Sequence, residues 1–77
     1  MPNIGKALGG RLRAIGIPTR ETLLELGDEA AFARLCAEFP EDACTHTRLA
    51  LAGAVRNIRW HDLERDLRAA LTRGLKA

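Results

Sequence analysis

An all-α fold, five helices in one compact domain spanning residues 1–77, is what this sequence predicts, and three observations carry the prediction. Apolar residues recur at spacings of three and four along the whole chain, with no run of the alternating kind that marks a strand. Helix-stopping residues (Gly16 with Pro18, Gly27, and Pro40) cut that pattern into short pieces. Only a few residues separate the pieces, which leaves no linker and no second domain.

The first helix is expected over about residues 6–15, where Leu8, Leu12 and Ile15 continue the face begun by Ile4. Gly16 stands where a left-handed C-terminal residue belongs, and Pro18 prevents continuation. A short second helix follows over about 20–26, capped by Thr19, favoured by Glu21 near its N-terminus and ended by Gly27. Its apolar residues are Leu23, Leu24 and Leu26. The third helix runs about 29–38 with Asp28 as cap; Phe32, Leu35, Cys36 and Phe39 fall on one stripe, and Pro40 stops it. The fourth starts at about 42 or 43 and reaches 57, with Leu51, Val55 and Ile58 as core line and Ala54 beside them. Gly53 lies inside it among Ala50, Ala52 and Ala54, a small-residue patch that permits close helix approach. The fifth is expected over about 63–75, capped by Asp62, with Leu63, Leu67, Ala70 and Leu71 as its stripe. Trp60 is placed to staple it to the fourth.

The composition is that of a small globular domain, 47% hydrophobic and 29% charged. No apolar run reaches the roughly 20 residues of a membrane helix, and the N-terminus lacks an apolar signal core. A cytoplasmic protein without a membrane partner is expected. Cys36 and Cys44 make neither a disulfide framework nor, with the histidines, a zinc site. They are expected as free thiols, and no metal or cofactor is called for.

The net charge of +2 is unevenly spread. Residues 1–19 hold Lys6, Arg11 and Arg13 and no acid. Residues 20–42 hold Glu21, Glu25, Asp28, Glu29, Glu38, Glu41 and Asp42 against Arg20 and Arg34. Bases again outnumber acids from 43 onward. Either the fold carries faces of opposite sign, or these are ordinary solvated helix surfaces.

The opening stretch PNIGKALGGRLRAIGIPTRETLLELG places three glycines close together. It resembles the second half of a helix-hairpin-helix motif, in which a Pro-Gly-apolar-Gly turn leads into a helix and offers backbone amides to DNA phosphate. On that resemblance the phosphate site would be the amides of Gly5, Lys6 and Ala7, with charge from Lys6, Arg11 and Arg13. Asn3 occupies the place of the motif's first glycine, and Asn tolerates left-handed backbone better than most residues. Gly9 and Gly10 lie within the helix and read as contact points for a neighbouring helix.

The same stretch, with FARLCAEFP and then LALAGAVRNIRWHDL, is similar to the C-terminal domain of the TfoX/Sxy family. That family opens with Asn-Ile-Gly, continues through Leu, Gly-Ile and Leu-Gly positions, and later carries Ala-Leu-x-Gly-Ala followed by Trp-x-Asp-Leu. Here these are Asn3, Ile4 and Gly5; Leu12, Gly16, Ile17, Thr19, Leu23 and Gly27; Leu35; Ala50, Leu51, Gly53 and Ala54; Trp60, Asp62 and Leu63. The resemblance covers about residues 3–71. It implies a helix-hairpin-helix or SAM-like fold and a role beside the regulators of natural competence, the uptake of DNA by bacteria. The usual member also carries an N-terminal α+β domain, so the chain is read as a stand-alone C-terminal domain. Leu49 replaces the family tyrosine and Arg48 an apolar residue, so that face of the fourth helix is expected to be more solvated.

No catalytic constellation is found: His46 and His61 are not in a ligand spacing, and nothing supplies an oxyanion hole to Cys36 or Cys44. His61 and Asp62 read as turn and cap residues. The remaining readings are a module that binds a protein partner in transcription regulation, which is preferred, and weak sequence-independent binding of nucleic acid through the glycine turn. A homodimer built on the small-residue patch Ala50, Gly53 and Ala54 is the third.

Overall fold

Five α-helices form in the computed structural model, which describes residues 1–75: α1 Lys6–Ala14, α2 Arg20–Leu26, α3 Asp28–Glu38, α4 Thr45–Arg56 and α5 Arg65–Leu71. Two 3-10 turns, Pro40–Asp42 and Trp60–Asp62, precede α4 and α5. The all-α prediction holds, and α2 has the expected bounds.

The terminators act through identifiable hydrogen bonds. At the end of α1, Gly16 takes φ +86. The Ile17 amide then donates to the Leu12 carbonyl at 2.8 Å, closing a Schellman turn over two side chains that are themselves buried. Asn57 does the same for α4, with φ 59 and the Ile58 amide on the Gly53 carbonyl at 2.9 Å. Thr19 caps α2 by accepting from the Thr22 amide. Arg20 serves the far end of another helix: Nε reaches the Ala54 carbonyl at 3.0 Å and Nη2 the Val55 carbonyl at 2.9 Å, adding a cationic donor to the carbonyls of the last turn of α4.

Helix α4 is the centre. Its residues from Thr47 to Ala54 are all buried, and α2, α3, α5 and the Trp60–Asp62 turn pack around it. One core, Leu12, Ile17, Leu23, Ala31, Leu35, Leu51 and Ala54, joins the first four helices. A smaller cluster, Leu49, Ala52 and Leu63 with Trp60, Leu67 and Leu71, fastens α5 to the other side of α4. The stapling role expected of Trp60 is therefore present, with its indole half-buried.

Several boundaries differ for physical reasons. Asp28 is the first residue of α3 and Gly27 precedes it as cap, because the Asp28 carboxylate is engaged by Arg48. Pro40 starts a 3-10 turn, so α4 begins only at Thr45. Ile58 lies beyond the left-handed Asn57 and is 37% exposed, outside the core line assigned to it. Helix α5 is shorter than expected: Glu64, accepting from the Leu67 amide, caps it in place of Asp62, and it ends at Leu71. Leu63 is buried ahead of the helix and Ala70 is exposed.

Candidate interaction surfaces

The glycine turn at the start of α1 is held from outside. Asn3, not Gly5, takes the left-handed conformation, at φ 69. Its side chain clamps the loop after α4: Nδ2 donates to the Ile58 carbonyl and Oδ1 accepts from the Trp60 amide, both at 2.9 Å. This clamp lies over Gly53, where a Cβ would collide with the Asn3 amide nitrogen and come within 2.7 Å of the Ile58 oxygen. Gly53 is thus required by a side chain and a loop, not by a neighbouring helix.

Gly5 is the N-cap of α1 at φ −80 and ψ −177, extended backbone open to any residue. Gly5, Lys6 and Ala7 are exposed, and the first amides of any helix lack partners within it. Arg13 is exposed as well. Arg11 is drawn away from this group: its Nη1 donates to Asp42 at 2.7 Å, and its guanidinium lies over the Phe39 ring. Gly9 and Gly10 meet no neighbouring helix; a Cβ on either would have only Arg13 and Ile4 atoms at 3.7–3.8 Å, ordinary contact. The contact role expected of them is absent among the described residues.

Ala50 and Ala54 are fully buried and Gly53 is buried beside them. The patch expected as a dimer surface faces the chain's own interior and offers nothing to a second copy.

Charge pairing accounts for much of the uneven sequence pattern. Arg48 is 6% exposed, contradicting the expected solvated face: its Nη1 reaches Asp28 at 2.6 Å while the guanidinium covers Phe32. Arg56 approaches the other Asp28 oxygen at 3.7 Å. Asp42 is buried with Oδ1 on Arg11 and Oδ2 without a hydrogen-bond partner among the described residues. Sequence reasoning missed these pairs; the signal was a lone Arg inside an apolar run, THTRLALAGA, with acids available on a neighbouring helix.

Cys36 and Cys44 are free and half-buried. Burial first, then the nearby Asp42 carboxylate and Cys44, raises the Cys36 pKa above its ordinary value of 9.0, which makes it a poorer nucleophile at neutral pH. Cys44 caps α4, with Sγ 3.4 Å from the Thr47 hydroxyl. His46 meets Trp60 edge-on at 5.7 Å and His61 stacks on it at 4.2 Å, so both imidazoles serve as covers for the indole. No group of three or more His, Cys, Asp or Glu side chains among the described residues could hold a metal ion. Among the described residues no helix is long and apolar enough to cross a membrane.

The remaining surface of note lies where α2 turns into α3. Leu26, Gly27, Asp28, Glu29, Ala30 and Ala33 line a shallow concavity of about 450 Å³.

The sequence profile of the TfoX C-terminal domain matches residues 1–75. The chain belongs to this family. The match bears out the resemblance read from Asn3 to Leu63. Two solved structures share the fold. An uncharacterized protein from Listeria monocytogenes, triclinic form, is 35% identical with a TM-score of 0.86, over 100% of this chain and 93% of that one. A protein of unknown function from Listeria monocytogenes, tetragonal form, is 40% identical with a TM-score of 0.82, over 91% of this chain and 84% of that one. No functionally curated protein matches.

Proposed function

We propose that this TfoX C-terminal domain is a non-enzymatic module that binds a protein partner in transcription regulation. The observation that carries this reading is the dispersal of the bases around the glycine turn. Arg11 is committed to Asp42, so Lys6 and Arg13 are the two expected basic side chains left exposed for phosphate. Two exposed bases and a helix N-terminus make a thin electrostatic footprint for DNA, whose affinity rises with the number of phosphates neutralised. The α2–α3 junction, by contrast, presents apolar surface in a concave arrangement.

The test is a fluorescence anisotropy titration with labelled duplex DNA at low and physiological salt. A flat response in both supports the protein-partner reading. Saturable binding that weakens with salt and is lost in the Lys6→Glu, Arg13→Glu double variant overturns it in favour of backbone contact through the glycine turn.

A further inference from the structure

We infer that the groove at the α2–α3 junction docks a basic amphipathic helix of the partner; this rests on the interaction reading above and names the partner's chemistry. Gly27 and two short side chains, Ala30 and Ala33, line the groove, so an incoming helix can approach closely. Ala30 and Ala33 are exposed. An apolar stripe on the partner fits that surface.

Charge fixes the sign of what flanks the stripe. The exposed positions of α2 and α3 hold Glu21, Glu25, Glu29 and Glu38, against Arg34. Glu41, also exposed, follows in the 3-10 turn. Bases that could offset them act elsewhere: Arg20 on the last carbonyls of α4, Arg48 on Asp28. Asp28 is met by Arg48 at 2.6 Å and by Arg56 at 3.7 Å, and Glu29 is the exposed carboxylate on the groove wall. Nucleic acid is repelled from such a face. A helix with small apolar residues along one side and Lys or Arg beside them satisfies both its shape and its charge.

The probe is a synthetic amphipathic helix of Lys, Leu and Ala, titrated into the isotope-labelled chain and followed by amide chemical shifts. The inference expects shifts centred on Leu26, Ala30 and Ala33. It also expects binding weakened about tenfold or more by Glu25→Lys with Glu29→Lys, and binding lost in Ala33→Arg. All three sites are exposed, and far-UV circular dichroism confirms that the variants fold. A peptide of the same composition, scrambled to remove its apolar face, is expected not to bind. Shifts centred elsewhere, equal binding of the scrambled peptide, or an Ala33→Arg variant of unchanged affinity overturns the assignment. So does concentration-dependent sedimentation that Ala33→Arg abolishes, since a second copy then fills the groove. Failure of the peptide with a flat DNA titration removes the groove and leaves a protein partner bound elsewhere; DNA binding through Lys6 and Arg13 removes the protein-partner reading itself.

Discussion

Gly53→Ala adds one methyl group inside a helix and should nevertheless destabilise the protein. Alanine is favoured over glycine in a helix by about 1 kcal/mol, so propensity alone predicts a gain. The structure predicts the opposite. The new Cβ would overlap the Asn3 amide nitrogen and lie 2.7 Å from the Ile58 carbonyl oxygen and 3.3 Å from the Trp60 nitrogen. The last two are backbone atoms and cannot rotate away. Overpacking of this kind costs about 1–3 kcal/mol. Displacing Asn3 also sacrifices its hydrogen bonds to Ile58 and Trp60, each contributing about 0.5–1.5 kcal/mol. After the propensity gain is set against these losses, the net destabilisation is about 1–5 kcal/mol, and at its centre near 3 kcal/mol Tm falls by roughly 12–24 °C for a domain of this size. Thermal unfolding followed by far-UV circular dichroism and by Trp60 fluorescence measures it. The clash with Asn3 further requires that Gly53→Ala cost less in an Asn3→Ala background. A Tm equal to or above the parent's, or strict additivity of the two substitutions, would refute the reasoning.

Gly9→Ala and Gly10→Ala should each raise stability by about 0.5–1 kcal/mol, because the space is open and only the propensity term remains; a melting curve shifted downward contradicts this. Arg48→Ala should cost about 2–4 kcal/mol in urea unfolding, since it takes the nearer cation from the Asp28 carboxylate, 16% exposed, and leaves it Arg56 at 3.7 Å. Trp60→Ala should cost about 2–3 kcal/mol, less than a fully buried tryptophan, and should loosen α5 first in hydrogen exchange. Cys36 should alkylate more slowly in the folded protein than in urea at pH 8, because its raised pKa depletes the thiolate. A thiol pKa raised by folding means that the native state holds its proton longer. That contribution is present below pH 9.0 and is lost as pH rises beyond it, so stability should decline on the alkaline side in the parent and less so in Cys36→Ala.

What was legible in the sequence was what depends on near neighbours in the chain. The caps at Thr19 and Gly16, the stop at Gly27 and the span of α2 all follow from residues a few positions apart. What was not legible depends on partners brought from afar. Asp28 and Asp62 look equally good as caps in sequence; the first is claimed by Arg48 and the second is displaced by Glu64. Gly53 read as a helix-contact glycine because nothing in its own helix reveals that Asn3, at the other end of the chain, reaches over it. Arg48 read as solvated because a lone cation on a core helix has no local partner. At the candidate surfaces the glycine turn was found but its charge was overcounted, since Arg11 belongs to Asp42. The α2–α3 groove carried no motif and became visible only as shape.

The same pairings explain why the groove, rather than the glycine turn, is left with the stronger field. Folding takes the buried or half-buried acids Asp28 and Asp42 and couples them to Arg48, Arg56 and Arg11, so two acids leave the solvent-facing total. The N-terminal segment began with three bases and loses Arg11; the middle began with seven acids and, losing two, still exposes Glu21, Glu25, Glu29, Glu38 and Glu41. Five exposed acids in the middle segment, against two bases still exposed in the N-terminal one, leave the larger charge on the former. Salt should therefore weaken any ligand of α2 and α3 more than any ligand of α1, because screening acts in proportion to the charge left exposed. Raising ionic strength in the peptide titration tests this directly: a peptide affinity indifferent to salt would mean that the carboxylates of α2 and α3 are spectators and that apolar contact alone selects the partner.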